Sequence, residues 1–360
     1  MPFTASRPSS AVLAILVAAV LLAAATAAPA SSESDVVELE FVDGGGAVDG
    51  EIDVASVLES IVKVRQGLYL MTIDGDCSDL LLDENQNMID DPLINDRSRH
   101  CSVFSASGGG SVLMGRNWDN ENVGSIVATL YRPVDGYESV FFFRSIELGF
   151  GKDIDLAVIE SHAIGARFLR APYYSMDGVN EHGLAVAVAG DQTTEVRPLP
   201  GKELVGISFV IRKLLDQTRT VDEAVELVQG YVPSLLDKNT MAGHLMVADA
   251  SGASAVLEYD NDQWLVTRGE GTWQAMSTKR IHDVSVETLR ENCWRYDGMS
   301  ETLGKANGDL DWQGCMALLE DLTQKGTTWS VAYDLGAGEL HLSVYQDWDT
   351  VYHLAAPWAP

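Results

Sequence analysis

The chain has 360 residues, 24 Lys plus Arg against 53 Asp plus Glu, and a formal charge of -29. With 46% apolar residues and 21% charged, it can bury a substantial core, which excludes wholesale disorder. A polyanion without a basic cluster is repelled by phosphate backbones, which excludes nucleic acid as a partner. The four cysteines, at 77, 101, 293 and 315, form no CxxC pair and the seven histidines are scattered, so no zinc-like ligand spacing is present and neither a metal nor another cofactor is expected.

Residues 1–30 read as a signal peptide. One positive charge, Arg7, precedes fifteen apolar residues from Ala11 to Ala25, and small residues at Ala25 and Ala27, or Ala28 and Ala30, suit a signal peptidase. The apolar run is short of the roughly 20 residues a span needs. The expectation is a secreted or otherwise exported protein with no stable membrane span after removal, an uncleaved anchor being the rival. No cysteine follows before Cys77, so a lipoprotein anchor finds no support.

Residues 31–52 are acidic and Gly-rich and read as a flexible linker. Apolar residues at helical spacing predict a helix over 54–65. From Cys101 onward strands are predicted at 101–106, 111–118, 123–131, 139–147, 184–189, 244–249, 253–259, 263–267, 329–334 and 339–345. Helices are predicted at 204–217, at 221–229 behind a Thr220 and Glu223 capping box, and near 285–303 and 309–324. Runs of strands joined by tight turns indicate antiparallel sheets with helices packed outside.

The triplet of glycines at 108–110 separates two strand-like runs and marks a hairpin. A four-residue loop pairing Ala106 with Ser111 places Cys101 opposite Arg116 on one sheet face, with Asp119 past the partner strand's end near the Cys101 backbone nitrogen. A guanidinium beside a thiol raises the thiolate fraction, the condition for a nucleophile. The competing reading is a buried structural cysteine with a surface arginine. A papain-like dyad lacks its Cys-Gly-x-Cys-Trp setting, and His162, His182, His244 and His282 read as structural. Cys77, Cys293 and Cys315 also read as structural, with room for one disulfide. Phe141 to Phe143, Tyr173 and Tyr174 read as core, and Asn180, Glu181 and His182 as a turn.

Several blocks carry a resemblance: GLYLMTIDGD at 67–76, CSVFSA at 101–106, GRNWD at 115–119, DGYESV at 135–140, LRAPYYSMDGVNEHGLAVAVAG at 169–190, HLMVADASGASAVLEY at 244–259, CWRYD at 293–297 and GTTWSVAYDLGAGELHLSVY at 326–345. In this order they resemble the cysteine N-terminal-nucleophile (Ntn) amide hydrolases, which include choloylglycine hydrolase, penicillin V acylase and acid ceramidase. The pattern is most similar to the linear amide C-N hydrolases, or C45 peptidase acyltransferase family.

The resemblance implies an α+β fold, the four-layer αββα Ntn-hydrolase sandwich with two antiparallel sheets. It implies a prosegment over 31–100, autocleavage between His100 and Cys101, and a catalytic domain over 101–360. The freed α-amino group would be the general base, Arg116 would steady the thiolate, Asp119 would hold the amino group and Arg295 would order the site. At the oxyanion positions the family's asparagines are replaced: WQAMST ends in Thr278, and Gly190 or Asp191 stands at the second, where a backbone N–H would donate. The implied partner is a small-molecule N-acyl amide, hydrolysed or passed to an amine acceptor, and a homo-oligomer is left open. The reading from another class is a catalytically impaired binding protein on the same scaffold.

Overall fold

The computed structural model describes residues 34–43, 52–77, 101–120, 124–156, 165–234 and 240–360. The signal segment and His100 lie outside these residues, as does His162. Strands β1 to β18 are Asp35–Leu39, Val62–Arg65, Leu68–Asp74, Ser102–Ala106, Leu113–Asp119, Ile126–Arg132, Ser139–Arg144, Asp177–Asn180, Ala185–Glu195, Glu203–Gly206, Tyr231–Ser234, Thr240–Ala248, Ser254–Asp260, Gln263–Arg268, Trp273–Met276, Thr327–Asp334, Glu339–Val344 and Thr350–Ala355. Six α-helices are described in full, α1 (Val54–Glu59), α2 (Ile207–Gln217), α3 (Val221–Val228), α4 (Val286–Asn292), α5 (Trp294–Ala306) and α6 (Trp312–Asp321), beside two 3-10 helices, Ser145–Leu148 and Ala166–Tyr174.

Seven strands form one sheet in the order β1-β18-β17-β16-β5-β4-β15, and nine form a second in the order β14-β13-β12-β9-β8-β7-β6-β3-β2. The sheets stack face to face, with Arg116 on β5 bonding the β9 carbonyl of Val188 across the gap. Helices α5 and α6 cover the outer face of the first sheet, and α2 and α3 that of the second. This is the mixed four-layer sandwich expected. It is not wholly antiparallel: β1 runs parallel to β18, and β3 to β6.

Local chemistry explains where the elements depart from expectation. The helix predicted over 54–65 stops at Glu59, because β-branched Val62 and Val64 take up a strand, and Gly67 at φ +84 turns the chain into β3. In place of an uninterrupted linker over 31–52, Asp35–Leu39 adds an edge strand; four of its five residues are exposed, so no apolar alternation marks it. Three strands upstream of residue 101 are therefore built into the two sheets. At α3 the Thr220 hydroxyl accepts from the Glu223 amide at 3.2 Å, while the Glu223 carboxylate takes the Arg219 amide, one residue before the position a capping box uses. The long helix predicted near 285–303 breaks at Cys293, whose backbone is extended between α4 and α5.

Phe141, Phe142, Phe143, Tyr173 and Tyr174 are buried, as expected of core. The Asn180 side chain accepts from the amides of His182 and Leu184, closing the expected turn. All four cysteines are unpaired and buried, so the possible disulfide does not form. Among the described residues no helix is long and apolar enough to cross a membrane.

Candidate active site

Strand β4 begins one residue after Cys101 and pairs with β5 on one side and β15 on the other. Ala106 pairs with Leu113, not Ser111, so Val103 rather than Cys101 lies opposite Arg116. The loop is two residues longer than expected because its backbone bonds elsewhere: the Ser107 amide donates to Thr272 and that of Gly108 to Gly308, each at 2.8 Å. A two-residue shift keeps side-chain parity. Cys101 and Arg116 still share the face that looks at the second sheet, and Nη2 of Arg116 stands 3.8 Å from Sγ of Cys101.

Next to Arg116, Gly115 is required by packing, since a Cβ there would meet the Phe104 ring at 2.3 Å and Sγ of Cys315 at 2.8 Å. Arg116 itself is fully buried and lies against the rings of Trp118 and Trp329, 4.5 and 5.3 Å from their centroids. Its Nη1 pairs with the Asp177 carboxylate, and Nη2 donates to the Val188 carbonyl at 3.0 Å. Asp177 also accepts from Trp329 Nε1 at 3.1 Å and from the Tyr333 hydroxyl at 2.7 Å. Burial pulls the guanidinium's pKa down, and the neighbouring Cys101, Tyr333 and Asp119 work against that. Asp177 thus shares the arginine with the thiol, leaving one N–H edge for the sulfur.

On the other side of β4, Met276 pairs with Val103, so continuing the register by two residues brings Thr278 across from Cys101. Arg295, in the first turn of α5, joins the two: Nη1 donates to the Cys101 carbonyl at 2.7 Å and Nη2 to the Thr278 hydroxyl at 3.2 Å. A cation at a helix N-terminus opposes the helix dipole. Here the Asp119 carboxylate, 3.7 Å from Nη1, offsets it. Asp119 ends β5, is buried, and accepts from the Thr327 hydroxyl at 2.5 Å and from the Gln324 amide group. Burial pushes its pKa up, against Thr327, Arg295, Gln324 and Arg116. Its ion pair is with Arg295, which bonds the Cys101 carbonyl.

At the second expected oxyanion position, Gly190 has φ +137 and faces Gly243, at the irregularity between Ala242 and His244 in β12. A Cβ on Gly190 would lie 2.4 Å from the Gly243 Cα, so only glycine fits. Asp191 follows in β9, and its side chain lies outside what the structure describes.

Cys101, Arg116, Thr278, Arg295 and Asp119 are thus brought together, while His100 lies outside the described residues. No described histidine hydrogen-bonds Cys101; His244 instead pairs with Glu258 at 3.1 Å. Sequence reasoning missed Asp177, Trp329 and Tyr333. The signal for Asp177 was present: a carboxylate between Met176 and Gly178 in a stretch otherwise destined for the core must have a buried partner.

The family described as linear amide C-N hydrolases, choloylglycine hydrolase family, matches residues 101–306, more than half of the chain. A penicillin V acylase from Pectobacterium atrosepticum is 30% identical over 116 residues, which span 30% of this chain and 31% of that relative. The chain therefore spans about a third of the length of this curated relative. Among solved structures, a variant of conjugated bile acid hydrolase from Clostridium perfringens superposes with a TM-score of 0.52 at 13% identity, covering 71% of this chain and 92% of that one. A penicillin V acylase from Agrobacterium tumefaciens gives a TM-score of 0.48 at 17% identity, with 71% and 86% covered.

Proposed function

The chain belongs to the linear amide C-N hydrolases of the choloylglycine hydrolase family, and on that premise we propose that it is an exported, self-processing hydrolase of N-acyl amides whose nucleophile is the Cys101 thiolate. The observation that carries the reading is Cys101 itself, with Arg116 3.8 Å from its sulfur and Arg295 on its carbonyl.

Cleavage of the His100–Cys101 bond frees an α-amino group. Its pKa, about 7.7–8.0, leaves it partly neutral near neutral pH, unlike a lysine. That amine takes the thiol proton, and the sulfur attacks the acyl carbonyl. The Thr278 hydroxyl already accepts from Arg295, which leaves its own hydrogen to donate to the developing oxyanion. A backbone N–H near Gly190 and Asp191 serves as the second donor. The protonated α-amino group then gives its proton to the departing amine, forming a thioester on Cys101. Water attacks this thioester to release the acid, and an amine in its place gives acyl transfer.

Penicillin V and bile-acid conjugates, the compounds in the names of the relatives, are the first amides to test, followed by N-acyl amino acids. Amine release by the wild type, an acyl adduct on the Cys101 chain by mass spectrometry, and loss of both in Cys101→Ala are expected. Amine release undiminished in Cys101→Ala overturns the reading. Thr278 in place of the family's asparagine favours a second reading, a catalytically impaired binding protein. That protein would bind such amides without turnover and with an unreactive thiol.

A further inference from the structure

Far from Cys101 in the chain, β17 and β18 pair so that His341 lies directly opposite His353, with Glu339 two residues along β17 on the same face. Glu38 on β1 lies opposite His353 on its other side. Three strands thus line up Glu38, His353 and His341 in one row. His353 Nδ1 meets the Glu38 carboxylate at 2.6 Å, which in the neutral ring puts the proton on Nδ1 and the lone pair on Nε2. The Nε2 atoms of both histidines stand 3.8 Å from the same Glu339 oxygen, too far for hydrogen bonds. One ligand atom from each of the three residues lies within 4.8 Å of the others.

The His341 side chain is only 4% exposed, yet among the described residues neither of its ring nitrogens has a hydrogen-bond partner, nor does Nε2 of His353. Ring stacking does not meet that need: Trp312 lies 4.1 Å from the His341 ring and nearly parallel, and stacking leaves in-plane lone pairs unsatisfied. A cation among the three ligand atoms would satisfy one nitrogen of each ring.

We propose that His341, His353 and Glu339 form a binding site for a single divalent transition ion of the zinc class, with Glu38 as the outer carboxylate that orients His353. Two imidazoles and one carboxylate suit a borderline ion rather than calcium or magnesium. The carboxylate behind His353 fixes its tautomer and raises its basicity. Zinc bonds of about 2.0–2.1 Å require the ligand atoms to close in. The rings, now 14° apart, splay by rotation about the broad terminal torsion of His353, while Trp312 holds His341. Glu339 is 40% exposed, so the ion has a path from solvent and a coordination position for water. The ion would clip β1, an edge strand, onto the β17–β18 hairpin. Linear spacing could not disclose this site because strand pairing, not a short motif, unites its ligands.

The test uses the full exported chain carrying a removable tag without histidines. After chelator dialysis, zinc and cobalt(II) are titrated against a chromogenic competitor, and bound metal is counted by mass spectrometry. The expected result is one ion per chain, a visible cobalt band, and loss of both in Glu339→Gln and in His353→Asn. Glu38→Gln should weaken binding about 10–100-fold. Glu339 and Glu38 are partly exposed, so these variants keep the fold. Wild-type protein that binds no stoichiometric zinc overturns the proposal, as does binding unchanged in Glu339→Gln and His353→Asn.

Discussion

The Arg295 guanidinium ties the Cys101 carbonyl, at 2.7 Å, to the Thr278 hydroxyl, at 3.2 Å. The hydroxyl is an acceptor in this bond, so its hydrogen points away from Arg295. Thr278→Val keeps the shape but removes both the donor and the acceptor of the Arg295 bond, so kcat should fall about 10²- to 10³-fold with a stability loss of about 1–3 kcal/mol. Thr278→Ser should keep most of the rate. Steady-state kinetics on any amide the wild type turns over checks this, and equal rates in the wild type and Thr278→Val would remove Thr278 from the oxyanion.

Arg116 and Asp177 form a wholly buried ion pair, in which Asp177 also accepts from Trp329 and Tyr333 and Arg116 also donates to Val188. Asp177→Asn strands the guanidinium, and breaking such a pair costs about 3–5 kcal/mol. Urea unfolding should show that loss, and the double variant Arg116→Met with Asp177→Asn should recover part of it.

How much of this was legible from the sequence depends on parity and on distance along the chain. The shared face of Cys101 and Arg116 was readable, because a two-residue error in loop length leaves every side chain on its own side. The loop length was not readable, since Ser107 and Gly108 bond to carbonyls at 272 and 308. Thr278 and Arg295 were found through resemblance to a family. Only the pairing of β15 with β4 and the Arg295 bonds to both residues bring Thr278 beside Cys101. Strand β1 was lost because an exposed edge strand carries no hydrophobic period.

Glu258 couples stability to pH. Burial pushes its pKa up, but His244 and the amides of His282 and Ile281 outweigh burial and hold it below the ordinary value. A depressed carboxylate contributes stability that is present above its unfolded pKa, about 4.3, and is lost as pH falls through the folded value. Unfolding free energy measured from pH 7 down to 3 should therefore fall more steeply in the wild type than in Glu258→Gln.

Strand β3 lies second from the edge of the nine-stranded sheet, with Leu68, Tyr69, Met71 and Ile73 fully buried. If the chain cuts itself before Cys101, the upstream piece should stay bound. Both pieces should co-elute in native gel filtration and separate only in denaturant. An upstream piece that elutes alone without denaturant would contradict this.

Intact mass and N-terminal sequencing of the purified protein, incubated under reducing conditions, test the central claim most directly. The account predicts a chain that begins at Cys101 in the wild type and an uncut chain in Cys101→Ala. An uncut wild-type chain that hydrolyses amides, or a Cys101→Ala chain that still cuts itself after His100, would contradict it.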